Sequence, residues 1–132
     1  MWVCIMNRNR KGARKAPHNQ SSRLLYHGPV RVASIEDSPD GPVLLRTGMK
    51  PNAWLPLDGR RHISFQRHHL EEAQAAGVRL VRLVGKDGET WEISFDEYME
   101  SAKAFDHPTR GRQLVVDQRL FVHSNPLQGR LL

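Results

Sequence analysis

Between Pro51 and Phe105 the apolar and polar positions follow one short pattern twice. The first copy reads Ala53-Trp54-Leu55-Pro56-Leu57, then Asp58-Gly59, then Arg60-Arg61-His62-Ile63-Ser64-Phe65. The second reads Val78-Arg79-Leu80-Val81-Arg82-Leu83-Val84, then Asp87-Gly88, then Glu89-Thr90-Trp91-Glu92-Ile93-Ser94-Phe95. The Ile-Ser-Phe triplets lie 30 residues apart and the Asp-Gly pairs 29 apart. A period in this range marks a repeated supersecondary unit. Here the unit is strand, Asp-Gly turn, strand, helix, with copies over 51–77 and 78–105.

Asp58-Gly59 has the chemistry of a tight hairpin turn. Ser64 is suited to N-cap a helix running through Ala76, with Gly77 ending it. In the second copy, Trp91 and Ile93 alternate with Thr90 and Glu92, the period of a half-buried strand. Ser94-Phe95-Asp96-Glu97 forms a capping box. Phe95, Tyr98, Met99, Ala102 and Phe105 then fall on one helical stripe. Superposing the triplets sets His68 on Tyr98 and His69 on Met99, so one of these histidines is expected to pack at a helix–sheet boundary.

Before the repeat, Val30-Arg31-Val32-Ala33-Ser34-Ile35 and Val43-Leu44-Leu45 read as a hairpin. Its connection is Glu36-Asp37-Ser38-Pro39-Asp40-Gly41-Pro42, in which proline sets φ and glycine supplies positive φ. The acids there lack the spacing of a calcium loop. After the repeat, Asp106-His107-Pro108-Thr109-Arg110-Gly111 breaks the second helix. Leu114-Val115-Val116 and Leu120-Phe121-Val122 read as two further short strands. The expectation is an α+β fold: a small antiparallel sheet of about five to seven short strands with two helices packed on one face. A single domain over 24–124 would lie between a basic arm, 1–23, and a frayed tail, 125–132.

Length and cysteine content agree with that picture. The 132 residues suffice for one modest core. A single cysteine, Cys4, excludes an internal disulfide framework and suits a reducing compartment. No apolar run approaches the roughly 20 residues of a membrane span. Met1-Trp2-Val3-Cys4-Ile5 is too short for a signal peptide's apolar region, so the expected location is the cytoplasm, with Met1 or Met6 as the start.

Charge changes the picture more. The net charge is +6, yet residues 1–25 hold Arg8, Arg10, Lys11, Arg14, Lys15 and Arg23 and no acid. The remaining 14 basic residues are balanced by all 14 acidic ones. The excess therefore belongs to the arm, whose lack of large aliphatic residues predicts disorder. Such a block is either a phosphate-binding arm or a solubilising terminus. In the body, Arg60, Arg61 and Arg67 flank the expected start of the first helix, a ready phosphate site. The second helix bears Asp96, Glu97 and Glu100 and would be repelled by a duplex.

Catalytic constellations are not legible. Ser64 and Ser94 sit where caps are needed, and no nucleophile elbow, phosphate loop or dinucleotide fingerprint occurs. His62, His68 and His69 are dense, but adjacent histidines point about 100° apart on a helix. They also lack the Asn and spacing of a ββα-metal nuclease, so neither a metal nor a cofactor is expected. The leading expectation is a small non-enzymatic accessory protein binding DNA or RNA through phosphate contacts from Arg8, Arg10, Lys11, Arg14, Lys15, Arg23, Arg60, Arg61 and Arg67. The alternative is a protein-binding adaptor or inhibitor of the phage or plasmid regulator type, and the third is a metal-dependent nuclease.

Overall fold

The computed structural model describes residues 23–125. Within them the strands are β1 (Arg23–His27), β2 (Val30–Glu36), β3 (Val43–Met49), β4 (Leu55–Leu57), β5 (Arg60–Gln66), β6 (Leu80–Gly85), β7 (Thr90–Ser94), β8 (Lys103–His107), β9 (Gly111–Asp117) and β10 (Val122–Ser124). The helices are α1 (Arg67–Ala75) and α2 (Phe95–Ser101). Short 3-10 turns cover Pro51–Ala53 and Gln118–Leu120.

These strands form two sheets. One has six strands in the order β1-β2-β3-β6-β7-β10, and the other has four in the order β4-β5-β9-β8. All pairings are antiparallel except β3 with β6. A parallel pair needs a long crossover. Here the crossover contains β4, β5 and α1, so it builds half of the second sheet on its way.

This arrangement overturns the expected small single sheet of five to seven strands with both helices on one face. Each copy of the repeat is a hairpin followed by a helix, but the copies enter different sheets. β4–β5 belongs to the four-stranded sheet and β6–β7 to the six-stranded one. At Asp58 and Gly59 φ is 54° and 75°, left-handed at both central positions, as a two-residue hairpin turn demands.

The helices also start out of step with the triplets. Ser94 caps α2 as expected, its Oγ accepting from the Glu97 backbone N–H at 3.1 Å. Ser64 instead lies inside β5 opposite Val115, and α1 begins after Gln66 with no side-chain cap. Pairing with β9 continues through Phe65 and Gln66, so the ladder prevails over the local capping preference. Aligned by their first residues, Arg67 and Phe95, the helices set Leu70 on Tyr98, and both are fully buried. The C-terminus of α1 follows expectation. Gly77 (φ 80°) donates to Gln74 O and Val78 N–H to Ala73 O, a Schellman closure.

α2 is shorter than its apolar stripe. Ala102 is already extended (ψ 141°), and Phe105 lies in β8 opposite Gln113. A residue that matched the helical period is thus a strand residue.

A common core joins the two layers. Leu44, Val81 and Leu83 come from the six-stranded sheet, Ile63, Phe65 and Val116 from the four-stranded one, and Leu70 and Tyr98 from the helices. The Tyr98 hydroxyl donates to Leu114 O at 2.8 Å, and its ring stands edge-on to Phe65 at 5.8 Å. Burial pushes this phenol well above its ordinary range, so it stays a donor. No helix among the described residues is long and apolar enough to cross a membrane.

Candidate functional site

A bulge in β3 opens a cleft between the layers. The β3–β6 ladder pairs Arg46 with Leu83 and Met49 with Gly85, so Thr47 and Gly48 together face one residue of β6. Gly48 has φ 66°, and a Cβ there would meet nothing within 4 Å. The demand for glycine is therefore the dihedral itself. The cleft holds about 360 Å³ and is lined from both sheets and α1.

Its charge is one-sided. Arg31, Arg46, Lys50 and Arg110 line it, and no Asp or Glu does. Among the described residues none of these four cations pairs with a carboxylate. By contrast, Arg23, Arg60, Arg67, Arg82, Arg112 and Arg119 pair with Glu72, Asp117, Glu71, Glu92, Asp106 and Asp117 respectively.

Arg46 is the deepest of the four. Its Nε donates to Val32 O and its Nη2 to Ser64 O, each at 3.0 Å, which ties β2 to β5 across the layers. Its guanidinium lies 4.2 Å from the centre of the Phe65 ring. Burial pushes it down to about 10; Tyr98 opposes the shift and Arg110 adds to it. It remains charged at neutral pH with no carboxylate partner among the described residues. Arg110 is placed by a turn in which His107 Nδ1 accepts from the backbone N–H groups of Thr109 and Arg110 at 3.1 and 3.2 Å.

Beside Arg46 lie three buried residues with incomplete hydrogen bonding. His69 sits 3.0 Å from Tyr26 O through Nε2, and only an N–H can face a carbonyl. Nε2 is therefore the donor, and Nδ1 is a buried acceptor without a partner. Burial first, then His68, lowers the His69 pKa, so the ring is neutral at pH 7. Gln66 Nε2 lies 2.7 Å from His27 Nδ1 and 3.3 Å from Arg110 O. The carbonyl fixes the amide orientation and leaves Gln66 Oε1 an orphaned acceptor, while Gln113 Nε2 is an orphaned donor. Buried polar atoms without partners are rare enough in folded proteins that each calls for a reason. All three orphans among the described residues belong to side chains lining this one cleft.

The structure disperses the residues expected to bind phosphate. Arg8, Arg10, Lys11, Arg14 and Lys15 lie outside the described residues. Arg23 opens β1 and meets Glu72 at 3.7 Å. Arg60 and Arg61 sit at the start of β5 and Arg67 beyond its end, roughly 20 Å away at ~3.3 Å per strand residue. They do not converge on the start of α1. A larger hollow of about 410 Å³ lies at the Arg60 end, but Arg60 and Arg119 there both pair with Asp117, and Asp58 shares the lining with Lys103, so the hollow is of mixed charge, unlike the acid-free cleft.

The histidines separate as well. His62 is buried in β5 with Nδ1 3.3 Å from Arg60 O, while His68 is exposed, its ring 4.1 Å from that of His69. Among the described residues no three His, Cys, Asp or Glu stand together as a metal-holding group.

Arg46 and Gln113 carry no sequence signal of their own. Arg46 follows an apolar strand run, and the burial of Gln66 and Gln113 arises from a pairing between residues 47 positions apart, 66 with 113. Gly48 is the one local hint, because an isolated glycine in a strand suggests a bulge. No protein-family model, curated protein or solved structure matches the chain.

Proposed function

We propose that this is a non-enzymatic accessory protein that binds nucleic acid, with its phosphate contacts centred on the cleft and not on the Arg60–Arg67 segment. The observation carrying the reading is the convergence of Arg31, Arg46, Lys50 and Arg110 on a cleft with no acidic residue. Paired arginines elsewhere are already neutralised locally, whereas an unpaired cationic cluster gains most from a polyanion. Arg8, Arg10, Lys11, Arg14 and Lys15 extend the same contact along a strand in this reading.

Salt dependence tests it. The four cleft cations on a single strand account for about −3 of the slope of log K against log salt, and the arm adds to it. Arg31→Ala with Arg110→Ala should reduce that slope by between one and two, at ~0.7 to 1 for each phosphate no longer neutralised. Arg60→Ala with Arg67→Ala should leave it within error. The reverse pattern would return the phosphate-binding role to the start of β5, and no binding at low salt would end the proposal.

A protein partner is the second reading, favoured by one observation. Leu24, Tyr26 and Val30 are exposed on the β1–β2 hairpin, whose outer strand is an edge of the six-stranded sheet. Such an edge can accept a strand from another chain. Saturating binding to a partner that survives high salt and is lost in Tyr26→Lys would favour it over the first.

A further inference from the structure

The floor of the cleft has a chemistry that phosphate binding alone leaves unused. Phosphate oxygens only accept hydrogen bonds, and Arg46 and Arg110 can serve them. The orphaned atoms beside Arg46 are two acceptors, Gln66 Oε1 and His69 Nδ1, and one donor, Gln113 Nε2. All three side chains are at least nine-tenths buried. Each of these atoms is closed off from the cleft in the free protein, so the side chains must turn toward it for a ligand to reach them; so turned, they would be completed by a neutral polar group that brings two donor hydrogens and one acceptor.

Size narrows the choice. About 360 Å³ lies near the lower end of small-ligand pockets, so the cleft has room for one nucleotide and none for a duplex. Enzymes and binders that read a base inside a pocket take it unpaired, out of the stack. Adenine and cytosine each offer an exocyclic amino group with two hydrogens next to a ring acceptor. Thymine and uracil offer one ring N–H between two carbonyls, which leaves an acceptor of the cleft unmatched.

We infer that the cleft receives one unpaired nucleotide of a single strand, its phosphate at Arg46 and Arg110 and its amino-bearing base edge at Gln66, Gln113 and His69. The inference rests on the nucleic-acid reading above and adds strand state and base class to it.

The test uses the full chain at low salt, with fluorescence anisotropy on short oligomers of deoxycytidine, of thymidine, and a duplex. Cytidine strands should bind about tenfold tighter than thymidine strands or duplex, the penalty expected for one unmatched buried hydrogen bond. Gln113→Met keeps the side-chain length and removes the orphaned donor. It should melt no lower than wild type and should reduce the preference for cytidine strands severalfold. Equal or tighter binding of thymidine strands by wild type overturns the inference, and this arm needs no variant to fold. An undiminished preference in a folded Gln113→Met overturns it too. Absence of binding to every strand would instead remove the nucleic-acid reading beneath it. Salt-dependent binding without discrimination would remove the inference alone.

Discussion

Replacing Tyr98 by Phe isolates one hydroxyl that ties α2 to the four-stranded sheet. The Tyr98 ring is fully buried, edge-on to Phe65 and to Phe121, and phenylalanine retains that packing. What goes is the hydrogen bond to Leu114 O at 2.8 Å, between the helix that follows β7 and the centre of β9. A neutral buried hydrogen bond is worth about 1 kcal/mol net, and leaving the carbonyl less well satisfied raises the cost toward about 2. For a body of this size each kcal/mol lowers the melting temperature by about 4–8 °C. Tyr98→Ala, which also empties the ring site, should cost about 3–5 kcal/mol.

The same site predicts a pH signature. The folded phenol is held above the ordinary value of 10.0, so native and unfolded states bind protons equally below pH 10. As pH rises past 10 the unfolded state releases a proton that the native state keeps, and stability falls. Phenylalanine has no such proton to lose. Urea denaturation at neutral pH and near pH 11 should therefore show the gap between wild type and Tyr98→Phe closing as pH rises. A Phe variant as stable as wild type at neutral pH, or a gap that widens in base, would refute the buried hydroxyl bridge.

Two further outcomes follow from the geometry. His69 has a pKa lowered from 6.5 mainly by burial, so its stabilising neutral form is complete above that value and native stability is lost as pH falls below it. His69→Gln retains a donor toward Tyr26 O and cannot titrate; denaturation midpoints measured from about pH 7.5 down to 5 should decline less in the variant than in wild type. Ser94→Ala should cost about 1 kcal/mol through removal of the cap on Glu97 N–H, while Ser64→Ala should change stability by no more than about 0.5. Thermal melts of the two serine variants check the contrast, and equal losses would contradict it.

The two serines also mark the limit of local reading. Ser94 and Ser64 stand in the same triplet, yet only Ser94 meets a helix start, because β5 is drawn two residues further by its ladder with β9. The Asp58-Gly59 turn, Gly77 and the strand Thr90–Ser94 were legible since their conformations depend on residues within a few positions. Phe105 matched a helix by period and became a strand residue through pairing with Gln113. The division into two sheets depends on the parallel pairing of β3 with β6, which no hairpin rule implies.

The candidate site was less legible for the same reason. Attention falls on Arg60, Arg61 and Arg67 because they cluster along the chain, and β5 then separates them by its full length. Arg31, Arg46, Lys50 and Arg110 are scattered along the chain and converge only in three dimensions. An unpaired charge is likewise a property of space. Arg67 meets Glu71 one helical turn away, while no acid faces Arg46 among the described residues.

Entry of a nucleic-acid strand into this cleft can be followed residue by residue in a chemical-shift map. Isotope-labelled protein would be titrated with a short cytidine oligomer at low salt, following backbone amides and arginine Nε–H groups. With a strand in the cleft, the largest shifts are expected at Thr47–Lys50, Gln66, His69, Arg110–Gln113 and the Arg46 side chain. Shifts confined to Arg60, Arg61 and the Asp117 hollow, or no shifts in the cleft at saturation, would contradict it.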